Sequence, residues 1–138
     1  MKNPFDMLKK EKKTILIVDD DTDYLFQLKA AIEEMGFMAI TADTQKEAEG
    51  IIEKTKPDLA ILDLMMENQD TGFILCHKLK ARHPDVPIII ASAVTAETGM
   101  LFDVTSEEEQ DWIKADLFLD KGIRRDQLHR EINKLLKI

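Results

Sequence analysis

Four groups of residues in this sequence are of types that do chemistry when brought together: the acidic run Asp19, Asp20 and Asp21, then Asp63, then Ser92, and finally the pair Asp120 and Lys121. Carboxylates crowded at one point repel each other, which raises their pKa values or recruits a cation. An all-oxygen donor set favours a hard divalent ion, Mg2+ or Mn2+, over zinc or copper. A carboxylate beside such an ion can attack phosphorus, while the metal and a lysine offset the charge that gathers on the equatorial oxygens. The Ser92 hydroxyl can donate a hydrogen bond to one of those oxygens. The bland alternative is that Asp19–Asp23 cap a helix and Asp63 opens a turn. Any one position alone fits that alternative; the joint pattern argues against it.

These residues form one site only if the fold delivers each of them just past a strand. Ile15–Val18 is a continuous apolar run suited to a strand buried on both faces. Leu25, Leu28, Ile32 and Met35 recur at helical spacing over Tyr24–Met35, and Gly36 supplies the stop. Met38–Thr41 is the second strand. Thr44 and Glu47 have capping-box spacing ahead of a helix with Ala48, Ile51 and Ile52 on its apolar face, ending before Pro57. Leu59–Leu62 is the third strand. A loop then leads to a helix carrying Phe73, Leu75, Cys76 and Leu79, closed by Pro84 and Pro87. Ile88–Ala91 and Leu117–Leu119 are the fourth and fifth strands, and Asp126–Leu136 is a closing helix with Leu128, Ile132, Leu135 and Leu136 inward. Five strands alternating with about five helices predict an α/β, flavodoxin-like (βα)5 doubly wound parallel sheet of order 2-1-3-4-5. In such a sheet ligands bind outside the carboxyl ends of the strands, where the strand order reverses.

Length and composition set the bounds. The 138 residues, 44% of them hydrophobic, suffice for one core, and the net charge of -8 argues against a duplex-binding module, so direct contact with nucleic acid is not expected. Cys76 is the only cysteine, which excludes an internal disulfide and a Cys-based zinc site. No apolar run reaches the length of a membrane helix, and residues 1–13 lack the apolar stretch of a secretory signal, so a soluble cytoplasmic protein without membrane insertion is expected. Residues 1–13, with five lysines around Phe5, Met7 and Leu8, are expected to form a flexible basic leader ahead of a domain over 14–138.

The segments ILIVDDD at 15–21, PDLAILDLMM at 57–66, PIIIASA at 87–93 and DLFLDKG at 116–122 resemble the receiver domain of bacterial two-component response regulators. The likeness covers nearly all of Lys13–Ile138 and, with no output domain after Ile138, suggests the stand-alone type. It implies a signalling receiver rather than a classical enzyme. Asp63 would take a phosphoryl group from a histidine kinase or phosphotransfer protein, and Asp19, Asp20, Asp63 and the main-chain carbonyl of Met65 would hold the metal. Ser92 would be the switch hydroxyl, Phe118 the switch aromatic and Lys121 the partner of the phosphoryl group. The signal would leave through contact with a downstream protein that the sequence does not name.

The sequence departs from the family at three places. Gly122 stands where a proline usually follows the lysine in a cis bond, which leaves the placement of Lys121 open. MMENQDTG at 65–72 has Glu67 in place of a proline and one residue more than the common spacing. The 26 positions from Ser92 to Phe118 include an acidic stretch, Thr105–Glu109, that can cap a short helix carrying Trp112 and Ile113. Three other readings compete with this one. A calcium loop at Asp19-x-Asp21-x-Asp23 fails because Tyr24 occupies the glycine position and Ala30 the final acid. A haloacid-dehalogenase-like phosphatase lacks the hydroxyl residue at Asp23 and room for a cap. A pseudo-receiver that binds partners without phosphorylation is the remaining alternative. His77, His83 and His129 show no ligand spacing and fit surface or packing positions. In the family, side chains two beyond the phosphoacceptor and two beyond the switch hydroxyl influence the attacking water; here they are Met65 and Val94, both apolar. The expected outcome is slow loss of the phosphoryl group from labelled protein, followed by intact mass over time; a half-life of seconds contradicts it.

Overall fold

The computed structural model describes residues 12–64, 66, 70–92 and 115–138. Most of the basic leader, Met65, Glu67, Val94 and the stretch carrying Trp112 lie outside the described residues. Five strands form one parallel sheet in the order β2-β1-β3-β4-β5, with β1 at Thr14–Val18, β2 at Met38–Ala42, β3 at Leu59–Asp63, β4 at Ile88–Ser92 and β5 at Leu117–Asp120. The order is the expected one. Four helices are described: α1 at Thr22–Glu34, α2 at Gln45–Lys54, α3 at Thr71–Arg82 and α4 at Arg125–Leu136. The helix expected between β4 and β5 falls outside the described residues. Among the helices described, none is long and apolar enough to cross a membrane.

The central strands β1, β3 and β4 are apolar along nearly their whole length because each face of the sheet has its own core. Leu16 and Val18 of β1, Ala60 and Leu62 of β3, and Ile88 and Ile90 of β4 pack with Ala48 and Ile52 of α2 and Leu75, Cys76 and Leu79 of α3. The alternate residues Ile15, Ile17, Leu59, Ile61, Ile89 and Ala91 meet Leu25, Leu28 and Ile32 of α1 and Leu128 and Ile132 of α4. The two-residue period of a strand thus divides one apolar run between two helical layers. Burial pushes the Cys76 thiol up to about 12, which keeps it protonated and inert. Phe118 packs half-buried against the α2–α3 core.

Local signals in the sequence explain the element ends. Thr44 caps α2 by accepting from the Glu47 N–H at 3.1 Å. Gly36 sits at φ 97°, past the Met35 cap of α1, where a side chain would be strained. Asp21 rather than a later residue begins α1: its side chain accepts from the N–H groups of Asp23 and Tyr24. The helix therefore starts at Thr22, two residues before the apolar periodicity becomes visible in the sequence.

The approach of α3 to the end of β3 depends on Gly72. The Gly72 N–H donates to the Leu64 carbonyl at 3.2 Å, and a Cβ there would lie 2.6 Å from the Asp63 carbonyl oxygen and 2.7 Å from that of Leu64. Neither carbonyl can yield without moving the strand end. Gly50, within α2, has nothing within 4 Å of such a Cβ. Gly72→Ala is expected to lower stability by about 1–3 kcal/mol, whereas Gly50→Ala raises it by about 0.5–1 kcal/mol. Urea unfolding midpoints measured side by side check the opposite signs.

Candidate functional site

The sheet reverses direction of winding between β1 and β3, and their carboxyl ends carry Asp19 and Asp63. Ladder hydrogen bonds continue to or past each strand end and fix the backbone from which the polar side chains project. Asp19 N–H donates to the Ala42 carbonyl at 3.1 Å, Leu64 N–H to Ala91 at 3.0 Å, and Lys121 N–H to Ser92 at 3.0 Å. Asp63 lies opposite Ala91 on β4, and the next residue, Ser92, lies opposite Asp120 on β5. Asp63, Ser92 and Asp120 are therefore the last residues of their strands, each of which runs one residue further than the sequence periodicity suggests.

Asp19, Asp20 and Asp63 each place a carboxylate oxygen within 4.8 Å of the others. Asp19 and Asp63 are buried and Asp20 is exposed, so the cluster opens to solvent on one side. Lys121 closes the other side, with Nζ 2.7 Å from Asp19 Oδ2 and 3.1 Å from Asp63 Oδ1. The residue least determined by the sequence is thus held by two ion pairs. The bond between Lys121 and Gly122 is trans, since no described residue has a cis peptide. The Gly122 N–H turns back to Asp120 Oδ1 at 2.7 Å, so Asp120 serves the turn. Asp21 likewise serves the α1 cap, and its own N–H donates to Asp19 Oδ1 at 2.9 Å. Of the acidic run, two members face the pocket and one caps the helix.

Charge within the pocket is unbalanced. Burial, and then the Asp19 charge, raise the Asp63 carboxyl from 3.8 to about 6, outweighing the ion pair with Lys121. Burial opposes the charged form of Lys121, but hydrogen bonds and charges from Asp19 and Asp63 together leave its pKa raised. One ammonium shared between two carboxylates is well stabilised, whereas each carboxylate keeps the other's repulsion.

Two further residues, Tyr24 and Thr71, were placed by the structure rather than by the sequence. Tyr24, noted in the sequence as the start of a helix and as the residue that breaks a calcium-loop pattern, has its ring centre 4.9 Å from Lys121 Nζ. Its position in the first turn after β1 was the available signal, because that turn opens toward the strand ends. Thr71, fully buried at the start of α3, donates to Gln45 Oε1 at 3.2 Å and ties the first turns of α2 and α3 together. Among the histidines, His77 is exposed, the His83 ring nitrogen meets the Ile52 carbonyl at 3.2 Å, and His129 packs edge-on against Phe37.

The model of the response regulator receiver domain matches residues 15–133. The chain belongs to this family. The receiver domain is 32% identical over 130 residues to a probable transcriptional regulator ycf27 of Porphyra purpurea, covering 94% of this chain and 50% of that protein. The chain spans about half the length of the curated relatives it matches first. Among solved structures, a two-component response regulator from Clostridium difficile is similar at 26% identity with a TM-score of 0.77, covering 91% of this chain and 97% of that one. The response regulator TrrA of Thermotoga maritima, solved in complex with Mg(2+)-BeF, is similar at 26% identity with a TM-score of 0.72, covering 89% and 98%. The family is one of two-component signalling receivers and not a classical enzyme family, and no match favours the phosphatase or the calcium loop.

The raised Asp63 pKa gives a titration with a definite sign. In metal-free receiver domain, Asp63 is expected to titrate near 6, and Asp19→Asn, which removes a repelling charge, lowers that value. Between 3.8 and about 6 the folded state holds the extra proton, so the stability this group contributes is present at low pH and lost as pH rises through about 6. Carboxyl carbon shifts followed by NMR across that range check both statements.

Proposed function

We propose that this receiver domain accepts a phosphoryl group on Asp63 from a phosphohistidine of a histidine kinase or phosphotransfer protein, with Mg2+ held by Asp19, Asp20 and Asp63. The observation that carries the reading is the meeting of a buried Asp63 with Asp19, Asp20 and Lys121 at the carboxyl ends of β1, β3 and β5. Three carboxylates against one ammonium leave an excess of two negative charges when all are ionised, and a divalent cation on an all-oxygen donor set offsets it. The open side at Asp20 gives such an ion access. The Met65 carbonyl remains the proposed further ligand on the strength of the family likeness. When bound, the ion supplies charge neutralisation for the phosphoryl oxygens.

The transfer itself needs little covalent help from the protein. An Asp63 oxygen forms a bond to phosphorus as the bond from phosphorus to the histidine nitrogen breaks, and the imidazole leaves with that electron pair. Lys121, already 3.1 Å from Asp63 Oδ1, stands where it can pair with the incoming oxygens. Ser92, buried at the end of β4, is proposed as the hydroxyl that turns toward the acyl phosphate, with Phe118 on β5, opposite Ile90 two residues back along β4, as the aromatic that follows. Phosphorylation then acts as a ligand for one of two conformations, and a downstream protein reads the difference.

Incubation with magnesium and acetyl phosphate, followed by intact mass, is expected to add one phosphoryl group to the native chain and none to Asp63→Asn. Chelation of the metal should abolish labelling, and Lys121→Met should slow it by about a hundredfold. A native chain that takes no phosphoryl group would favour a phosphorylation-independent binding module; equal labelling of Asp63→Asn would move the acceptor elsewhere.

A further inference from the structure

Lys121 meets a neutral group as well as two carboxylates. Its Nζ stands 4.9 Å from the centre of the Tyr24 ring, and Tyr24 is the only tyrosine in the chain. A cation facing an aromatic ring is attracted by the ring quadrupole, the more so where water is excluded, and the Lys121 side chain is only 16% exposed. Burial above all holds the Tyr24 phenol above its ordinary pKa, so the ring stays neutral beside the ammonium.

The contacts around Lys121 close on themselves. Asp19 Oδ1 accepts from the Asp21 N–H, Asp21 Oδ1 accepts from the Tyr24 N–H at 3.2 Å, the Tyr24 ring faces Lys121, and Lys121 returns to Asp19 Oδ2. Both Asp19 oxygens are therefore engaged. A cation that binds Asp19 through Oδ2 competes for the oxygen that Lys121 now holds and weakens the ammonium's shorter ion pair. Gly122 on one side of Lys121 offers no side chain to confine it. The Tyr24 ring is fixed in place independently of Asp19 Oδ2, by the α1 cap and by half-burial against the α1–α4 core.

We propose that Tyr24 is a positioning residue whose ring keeps the Lys121 ammonium beside Asp63 when a divalent cation takes over the Asp19 oxygen. The inference rests on the proposed magnesium-dependent phosphoacceptor site and adds a residue to it. Mere core packing would place the ring equally well but would not link it to the state of Lys121.

The test reads Lys121 directly. Its side-chain methylene protons next to the ammonium, assigned by comparison with Lys121→Met, should resonate upfield of those of the other lysines through the ring current. They should stay there at saturating Mg2+ in the native protein and in Tyr24→Phe, and return to the common position in Tyr24→Leu. Labelling by acetyl phosphate at saturating Mg2+ should fall roughly tenfold in Tyr24→Leu and recover to within about twofold of native in Tyr24→Phe. Tyr24→Met replaces the leucine variant if the latter does not fold. Native Lys121 resonances that move to the common position on adding Mg2+ overturn the proposal. So does a leucine variant that labels as fast as native, or a phenylalanine variant as slow as the leucine one. If the native protein binds Mg2+ but takes no phosphoryl group, the phosphoacceptor reading falls while the resonance comparison still decides whether Tyr24 holds Lys121.

Discussion

The shared ammonium of Lys121 is the interaction on which the rest of the pocket depends. Two buried carboxylates at one strand boundary would be expensive to ionise without it, since burial penalises each charge and each charge penalises the other. Lys121 offsets that cost only in part, which is why Asp63 remains raised to about 6 while Lys121 is strengthened as a cation. The pocket is thus held short of neutrality. A site with this balance of charge gains from an added positive charge.

Nothing in the four polar side chains fixes their meeting; the sheet does. Parallel pairing places the carboxyl ends of β1, β3, β4 and β5 side by side, and the register sets Asp63 beside Ala91 and Ser92 beside Asp120. Hydrogen bonds at Asp19, Leu64 and Lys121 carry the ladder to the very residues that bear or flank the functional groups. A one-residue slip of β3 would turn Asp63 toward the opposite helical layer, so the apolar alternation that sorts Leu62 and Ile61 between two cores also aims the carboxylate. Stability and site geometry come from one pattern.

That pattern is also why much of this was legible in the sequence. Continuous apolar runs of β-branched and leucine residues have few uses other than a strand covered on both faces, and the strand order follows from alternation with helices. Asp19, Asp20, Asp63 and Lys121 could be grouped because strand ends in such a sheet share one edge. What could not be read was which polar group serves the backbone. Asp20 and Asp21 are adjacent and identical, yet one faces the pocket and the other caps α1, a choice made by the direction of the chain as it leaves β1. Asp120 is similarly taken by its turn. Tyr24 and Gly72 act through contacts with residues that periodicity does not connect, and their roles appear only when the first turns of α1 and α3 are set against the strand ends.

The same geometry ties charge to conformation. Lys121 is joined through its backbone to Ser92 on β4 and through its side chain to β1, β3 and the first turn of α1. Any change of charge at Asp63 alters the balance at the ammonium. The ammonium can follow only by changing its contacts with Asp19 or Tyr24, because the Lys121 main-chain N–H is pinned to the Ser92 carbonyl. A phosphoryl group on Asp63, as proposed, would add negative charge where the pocket already has too much. Its stabilisation then depends on drawing Lys121 and the Ser92 hydroxyl toward one point at the ends of β4 and β5. Those strands meet the cores through Ile90, Ala91 and Phe118, with Phe118 only half-buried. Of these three, Phe118 is the least buried, so under the proposed function a pull on the strand ends would be opposed less there than at Ile90 or Ala91, and a change of charge would have room to become a change of shape.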